Sequence, residues 1–329
     1  TTIALKGEPE NHVTGFTATA NTYNHISLEW TEAVAGTQAP DGYLIKASTG
    51  AIAPPADNND PTIDSDLSDG NAVIKVLYAD DDSVAFEGLT AGTTYNFQIW
   101  SYTNEGTAIN FKADGPTASA TTATTELFFS EYIEGNSNNK AIEIYNPTGT
   151  TINLDEYFMK GTSNNSTTWE FDYPFQAGAT IAPGEVYVIV DDGANAEILA
   201  EGDYVTPDFE VAVTGNDARG LFKIAGSEYI LIDIIGTYDN PSANNFDVAG
   251  ITGVAADHTL IRKTGRTLGN IDWTASAGTD EATSEWIVMP QDYSNNLGAY
   301  RDIEKDTTLL DLTVGGTTVA GFASDTYSY

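Results

Sequence analysis

Short segments of alternating apolar and polar residues constrain this chain more than any other feature. In the segment HISLEW, Ile26, Leu28 and Trp30 fall on one side of an extended backbone, whereas Ser27 and Glu29 fall on the other. The segment TYNFQIW repeats the alternation further along the chain. A period of two residues is the signature of a half-buried β-strand. Because long helical periodicity is missing, the sequence predicts an all-β protein built from tandem antiparallel β-sandwiches.

The length and charge of the chain narrow its organisation and its partners. A chain of 329 residues is long for one ordinary β-domain and suits two. The 13 Lys and Arg residues face 48 Asp and Glu residues, which gives a net charge of −35. Such a surface repels phosphate backbones, so we expect no nucleic-acid partner. The same charge either attracts divalent cations or only keeps the protein soluble.

Residue usage indicates an exported protein. The chain has no cysteine, which excludes disulfides, zinc–thiolate sites and thiol nucleophiles. No apolar stretch approaches the roughly 18 residues of a membrane span, so we expect no membrane insertion. The abundance of Thr, Ser, Asn and Gly is typical of exported β-sandwiches. We therefore predict an extracellular or cell-surface location. The chain starts at Thr-Thr rather than Met, which predicts a processed or excised piece.

The first third of the chain has the strand and turn spacing of an immunoglobulin-like sandwich. Trp30 lies on the second predicted strand, Tyr43 on the third, Leu89 in the turn GLTAGTTY, and Tyr95 at the following corner. In these features residues 11–122 resemble a fibronectin type III domain. The resemblance implies a sandwich of about seven strands with Trp30 and Tyr95 in its core. An Asp-rich insert, PPADNNDPTIDSDLSDG, departs from the compact connection usual in that family.

The remaining chain carries a second set of ordered motifs. Among them are LFFSEYIEGNSNNKAIEIYNPTG, IAPGEVYVIVDD, GNDARGLFKI, HTLIRK and WTASAGTDEATSEWIVMPQDYSNNLG. Through these motifs residues 126–302 resemble a bacterial lamin-tail domain, which implies another antiparallel sandwich without catalytic activity. Residues 303–329 resemble the start of a further, truncated cadherin-like or immunoglobulin-like domain. We assign residues 1–10 to an N-terminal lead-in and residues 123–125 to a linker.

Three glutamates in the first of these motifs raise the question of catalysis. Glu131, Glu134 and Glu143 flank a run of asparagines and fit a catalytic pair, a metal site or a structural role. A glycosidase pair needs two carboxyl groups about 5 to 10 Å apart in a cleft. The glutamates instead alternate with aromatic and aliphatic residues on predicted strands. We therefore expect structural carboxylates that accept loop N–H groups and organise the first hairpin.

The Asp-rich insert is the best candidate for a metal site. It holds five aspartates ahead of Gly70, namely Asp57, Asp60, Asp64, Asp66 and Asp69. The stretch DSDLSDG approaches the alternating oxygen ligands of a calcium loop but misses the EF-hand spacing by one residue. The sequence leaves two alternatives, a calcium site formed by Asp64, Asp66 and Asp69 or a solvated acidic loop.

Two further features concern modification and partners. Arg262, Lys263 and Arg266 form the one basic cluster of the sequence, which either pairs with neighbouring carboxylates or docks an acidic domain. Ser83 in DSV and Thr307 in DTT match the short O-glycosylation pattern of Bacteroidota, whose exported multidomain proteins the chain resembles. The expected partners are neighbouring domains of the same polypeptide and other cell-surface proteins or glycans.

Two functions remain open on this reading. The first is a non-catalytic segment of an exported or cell-surface multidomain protein, acting as an adhesive, structural or spacer module. The second is a set of accessory domains of an extracellular hydrolase, of the nuclease or phosphatase type, whose catalytic domain lies outside this chain. Fold resemblance alone does not decide between them.

Overall fold

The structure, a computed structural model, divides the chain into two compact units. The first unit is Thr1–Glu126 and the second is Leu127–Tyr329. The residues described in full are 5–164, 166–207, 214–238 and 245–303, and from residue 304 onward the structure describes only the backbone of short strands. Strands account for most of the regular structure, and the two α-helices have five residues each. The predicted all-β fold class is confirmed.

From residue 5 onward, the first unit has eight strands in two antiparallel sheets. The strands are β1 (Thr14–Ala20), β2 (Ile26–Thr31), β3 (Gly42–Ser48), β4 (Asn71–Leu77), β5 (Ser83–Phe86), β6 (Thr94–Thr103), β7 (Asn110–Phe111) and β8 (Thr117–Thr121). One sheet has the order β1-β2-β5, and the other has the order β4-β3-β6-β7 with β8 also paired to β6. Two facing sheets of this kind form a sandwich whose inward residues alternate along each strand.

Aromatic side chains fill the core of the first unit. Trp30 and Tyr43 are buried and meet edge to face with ring centroids 6.2 Å apart. The hydroxyl of Tyr95 accepts a hydrogen bond from the backbone N–H of Thr90 at 3.1 Å, which closes the corner before β6. Leu89 is buried in the same cluster. The predicted core positions of Trp30 and Tyr95 are confirmed.

The Asp-rich insert is fastened to the first unit at several points. Leu67 is only 2% exposed and belongs to the core cluster. Asp64 exchanges backbone hydrogen bonds with Val73. Asp60 pairs with Lys75 and also accepts the backbone N–H of Gly106 at 2.9 Å. One leucine and several polar contacts therefore anchor the insert, while Asp64, Asp66 and Asp69 remain exposed to solvent. The choice between a calcium site and a solvated acidic loop stays open.

Sixteen strands lie in the described part of the second unit. They are β9 (Phe128–Glu134), β10 (Lys140–Tyr145), β11 (Ile152–Asn153), β12 (Tyr157–Gly161), β13 (Phe171–Pro174), β14 (Thr180–Ile181), β15 (Val186–Asp191), β16 (Tyr204–Thr206), β17 (Arg219–Ala225), β18 (Glu228–Ile235), β19 (His258–Arg262), β20 (Trp286–Met289), β21 (Glu304–Asp306), β22 (Leu309–Val314), β23 (Thr317–Ala323) and β24 (Thr326–Ser328). The helices are α1 (Ala196–Ala200) and α2 (Trp273–Ala277).

Two sheets position the functional candidates of the second unit. A six-stranded sheet has the order β16-β15-β10-β9-β19-β20, and a four-stranded sheet has the order β13-β12-β17-β18. All their pairings are antiparallel except that of β15 with β16. β11 pairs with β14, β21 with β24 and β22 with β23. The further sandwich at 303–329 stays a prediction. Within the described residues no helix has the length and apolar character to cross a membrane.

Candidate functional site: a buried carboxylate pair

Adjacent strands of the six-stranded sheet bring two glutamates face to face. Glu131 on β9 is the cross-strand partner of Glu143 on β10, and each is 0% exposed. Directly opposed side chains in an antiparallel pair have Cβ atoms about 4.5–5.5 Å apart. Their common face also carries Ile133 and Ala141, which pack with Leu297 in one apolar cluster. Two carboxyl groups therefore share a dry environment.

Glu143 has a complete set of donors. Its Oε1 accepts the hydroxyl of Ser130 at 2.6 Å, and its Oε2 accepts the backbone N–H of Gly298 at 2.7 Å. Ser130 is the extra residue of a β-bulge, because the register moves from Glu131 to Phe129 between consecutive residues of β10. Burial raises the pKa of Glu143 to about 7, although these donors favour its charged form.

Glu131 has no comparable support. Among the described residues, neither of its carboxylate oxygens has a partner at hydrogen-bonding geometry. Burial raises its pKa well above the ordinary range, the charge of Glu143 raises it further, and the nearby Asn296 and Arg301 offset only part of the rise. Two like charges at this separation in a low dielectric do not coexist at neutral pH. Glu131 is therefore the member of the pair that favours the proton, and Glu143, which has two hydrogen-bond donors, is the better placed to carry the charge.

The segment 294–301 covers this pair. Arg301 Nε donates to Asn296 Oδ1 at 3.2 Å, and a guanidinium nitrogen of Arg301 donates to the carbonyl of Asn295 at 2.5 Å. Leu297, also on this segment, is buried against the sheet. Because the segment closes over both carboxyl groups, no substrate reaches them in this conformation. The arrangement can store a proton and hold a loop, but it lacks the open cleft that glycoside hydrolysis needs.

Glu134 organises the first hairpin, as predicted. It forms an ion pair with Lys140, whose ammonium group also donates to the carbonyl of Gly135 at 3.1 Å. The second carboxylate oxygen of Glu134 accepts the backbone N–H of Asp257. Glu143 contributes to the hairpin through Ser130, and it also accepts the backbone N–H of Gly298, which lies 155 residues later in the chain.

The basic cluster is largely occupied by internal carboxylates. Arg262 is completely buried, bonds Asp233 at 2.9 Å and Glu285 at 2.8 Å, and lies 4.5 Å from the ring centroid of Trp286. Arg266 bonds the other oxygen of Glu285 at 2.9 Å. Burial raises the pKa of Asp233 to about 6, and the charge of Arg262 limits that rise. These contacts favour the first alternative for the cluster, pairing with neighbouring carboxylates.

Lys263 also bonds within the second unit. Its ammonium group donates to the backbone carbonyls of Glu281 and Ser284, the latter at 2.7 Å. Docking of an acidic domain onto the basic cluster is untested and stays a prediction.

The three calcium candidates each make a local turn. Asp64 Oδ1 accepts the N–H of Asp66, Asp66 Oδ1 accepts that of Ser68, and Asp69 Oδ1 accepts that of Asn71, at 2.8–3.1 Å. Within the described residues, no three or more His, Cys, Asp or Glu side chains form a group suited to a metal ion. Calcium binding by these aspartates stays a prediction.

The two glycosylation candidates differ in what the structure says of them. Ser83 begins β5 and is exposed, so its hydroxyl is accessible on the first unit. Thr307 lies outside the described residues. Glycosylation of either residue is untested and stays a prediction.

Several residues of the carboxylate site were not identified from the sequence. Asn296, Gly298 and Arg301 reach Glu131 and Glu143 from the far end of the second unit. Asn296 and Gly298 lie in the motif that ends in SNNLG, and this motif was the one sequence feature that could have pointed to them. Asp233 and Glu285 were likewise missed, because their partner Arg262 is distant in sequence.

Comparison with solved structures finds distant similarities. A DUF4876 family protein from Bacteroides thetaiotaomicron is 14% identical with a TM-score of 0.31, over 81% of this chain and 94% of the other. A two-domain fibronectin type III segment from chicken tenascin is 15% identical with a TM-score of 0.23, over 69% of this chain and 100% of the other. Comparison with curated proteins finds no match.

Family profiles match two consecutive parts of the chain. The Fibronectin type III domain profile matches residues 11–113, and the Lamin Tail Domain profile matches residues 120–239. Strands β19 and β20 complete the six-stranded sheet beyond the second matched segment. The chain therefore contains a fibronectin type III domain followed by a lamin tail domain, both immunoglobulin-like β-sandwich modules.

Proposed function

We propose that this chain is a non-catalytic segment of an exported or cell-surface multidomain protein, in which the two sandwiches act as adhesive, structural or spacer modules. The proposal rests on where the structure places the carboxylates that were candidates for an active site or a metal site. Glu131 and Glu143 are enclosed, Glu134 closes a hairpin, and the aspartates of the insert make local turns. The carboxylates that could have formed an active site are thus committed to the fold.

The surface charge supports the same role. A net charge of −35 keeps a multidomain protein soluble and discourages contact with nucleic acid. Fibronectin type III and bacterial lamin-tail modules are typical of extracellular proteins, which fits the exported location and the bacterial source proposed from the sequence. Partners of this segment are neighbouring domains of its own polypeptide and other cell-surface proteins or glycans.

An attachment assay with a hydrolysis assay tests the proposal. Beads coated with the folded chain are compared with beads coated with the heat-unfolded chain, which has the same net charge but lacks the folded surfaces. We expect only the folded chain to hold beads on bacterial cell surfaces under flow, and neither sample to hydrolyse DNA, a phosphomonoester or a polysaccharide. Equal attachment by both samples contradicts the adhesive role.

Turnover by the folded chain would contradict the non-catalytic role and favour a hydrolase. Glu143→Gln then identifies the centre, because a catalytic Glu143 loses turnover on this change while a structural one does not.

A further inference from the structure

The second unit has a cleft at one end of its four-stranded sheet, where β12 begins and β13 ends. The cavity has a volume of about 420 Å³ and is separate from the carboxylate pair. Four aromatic rings and two carboxylates are among its lining groups, namely Tyr157, Phe158, Phe175, Tyr229, Asp155 and Asp172. A largely apolar cavity with a few polar groups at its rim has the composition of a small-ligand site.

Tyr229 is the exposed ring of this cleft. Its side chain is 60% exposed on β18, the edge strand of the sheet. Beneath it lies the buried ring of Phe158, with centroids 5.0 Å apart and planes at 74°. Phe158 in turn stacks on Phe222 at 5.4 Å. Phe158 and Phe222 therefore support the ring of Tyr229 in a position where it contacts water. A ligand that covered this ring would remove its apolar surface from water.

Polar groups at the rim can both accept and donate hydrogen bonds. Asp155 is exposed, and its Oδ1 accepts the N–H of Gly178 at 2.8 Å. Asp172 is 71% exposed and pairs with Lys160 at 3.1 Å. The ammonium group of Lys160 lies 5.3 Å from the ring centroid of Tyr229. One carboxylate and one ion pair thus flank the exposed ring.

We infer that this cleft binds a neutral oligosaccharide, with one sugar ring stacked on Tyr229. The C–H face of a pyranose is apolar and covers an aromatic ring, while its hydroxyls donate to Asp155 and bond the Asp172–Lys160 pair. Acidic sugars are disfavoured by the two carboxylates and by the net charge of −35. An organic cation is disfavoured because the ammonium group of Lys160, 5.3 Å from the ring centroid of Tyr229, would repel it. The inference rests on this cleft alone and does not require the proposed adhesive role.

Titration of the full chain with neutral hexasaccharides of glucose, mannose, galactose and xylose tests the inference by calorimetry. We expect at least one series to bind, Tyr229→Ala to weaken that binding at least about tenfold, and Tyr229→Phe to preserve it within about twofold. Asp155→Asn should weaken binding by about tenfold, because an amide is a poorer acceptor than a carboxylate.

Phe171→Ala is the matched control, since Phe171 is another partly exposed ring of the same sheet and lies outside the cleft lining. Unchanged thermal melting of each variant excludes unfolding as the cause of lost affinity. Binding that falls with Tyr229→Ala and not with Phe171→Ala supports the inference. Three results overturn it: no neutral hexasaccharide binding up to about 10 mM, equal loss in both variants, or binding of choline or a uronic-acid hexasaccharide in place of the neutral series.

Discussion

Replacement of Glu131 by glutamine should stabilise the lamin tail domain at alkaline pH. Glutamine resembles the protonated glutamate that the buried pair requires, and its amide N–H₂ can donate to the charged Glu143. Glu143 already accepts hydrogen bonds from Ser130 and Gly298. Of the two glutamates, Glu143 is therefore the one whose charge the protein stabilises better. The variant therefore makes permanent the protonation state that the parent protein reaches only by binding a proton.

The pKa values set the sign and size of the effect. The pKa of Glu143 in the folded state lies above its ordinary value of 4.5. Above pH 4.5 the folded state therefore binds more protons than the unfolded state, and the free energy of unfolding falls as pH rises. The loss is complete above the folded pKa, which for Glu143 is about 7. The pKa of Glu131 also lies well above 4.5, so at about 1.36 kcal/mol for each pH unit the proton kept on Glu131 costs the parent on the order of 3 kcal/mol or more at about pH 8. Glu131→Gln removes this cost and leaves stability near the parental value at about pH 5.

Hydrogen exchange measured by mass spectrometry can isolate this effect in the full chain. Peptides from β9 and β10 report the opening free energy of the sheet that carries the pair, independently of the first unit. After correction for intrinsic exchange rates, the difference between Glu131→Gln and parent should grow from near zero at about pH 5 to about 3 kcal/mol at about pH 8. Asp233 also titrates in this unit, but it contributes equally to both proteins.

Glu143→Gln is the matched control for the asymmetry of the pair. It also replaces one ionisable group by an amide, but it removes the charged member of the pair and weakens the charge-assisted bonds from Gly298 and Ser130. It should therefore be less stable than Glu131→Gln by at least about 1 kcal/mol at about pH 8. The reverse order, or no gain from Glu131→Gln at alkaline pH, would refute the assignment of the proton to Glu131.

Three other changes test separate parts of the fold. Arg262→Met leaves the buried carboxylates of Asp233 and Glu285 without their cation and should lower the free energy of unfolding of the second unit in urea by about 3–5 kcal/mol. A decrease below about 1 kcal/mol would contradict the buried network. Tyr95→Phe removes the corner hydroxyl and should cost the first unit about 1–2 kcal/mol, whereas an unchanged midpoint would show that the corner bond adds nothing. Millimolar calcium should raise the melting temperature no more than sodium chloride of equal ionic strength. Calcium-specific stabilisation, lost in the double variant Asp66→Asn and Asp69→Asn, would instead assign the site.

The strands and aromatic cores were predictable because their signal is local. Alternation over five or six residues fixes which side chains point inward. β2 follows that pattern throughout, and β6 follows it as far as Ile99. The core positions of Trp30 and Tyr95 follow from the same period. Leu67 was not predictable in this way. It is a single apolar residue among aspartates, so no period marks it, and only the neighbouring strands reveal that it is buried.

The carboxylate site was only half predictable for a related reason. Pairing of Glu131 with Glu143 follows from a hairpin, since both lie on strands joined by a short loop. The segment 294–301 that covers them is far away in sequence, and no pattern of neighbouring residues predicts that it packs against these strands. A β-bulge adds a second difficulty, because it places Ser130 beside Glu143 against simple alternation. Sequence patterning thus located the two acids but not their donors.

The scarcity of cations in this chain explains why Glu131 must be neutral. With 13 Lys and Arg residues for 48 Asp and Glu residues, few buried carboxylates can have a counter-ion. Lys140 and Arg262 are two buried cations, and each bonds directly to buried carboxylates. Asp217 and Asp191 accept backbone N–H groups at 2.7–3.0 Å. Glu131 has neither kind of partner, so protonation is the remaining way to bury it, and the stability of the domain becomes linked to pH.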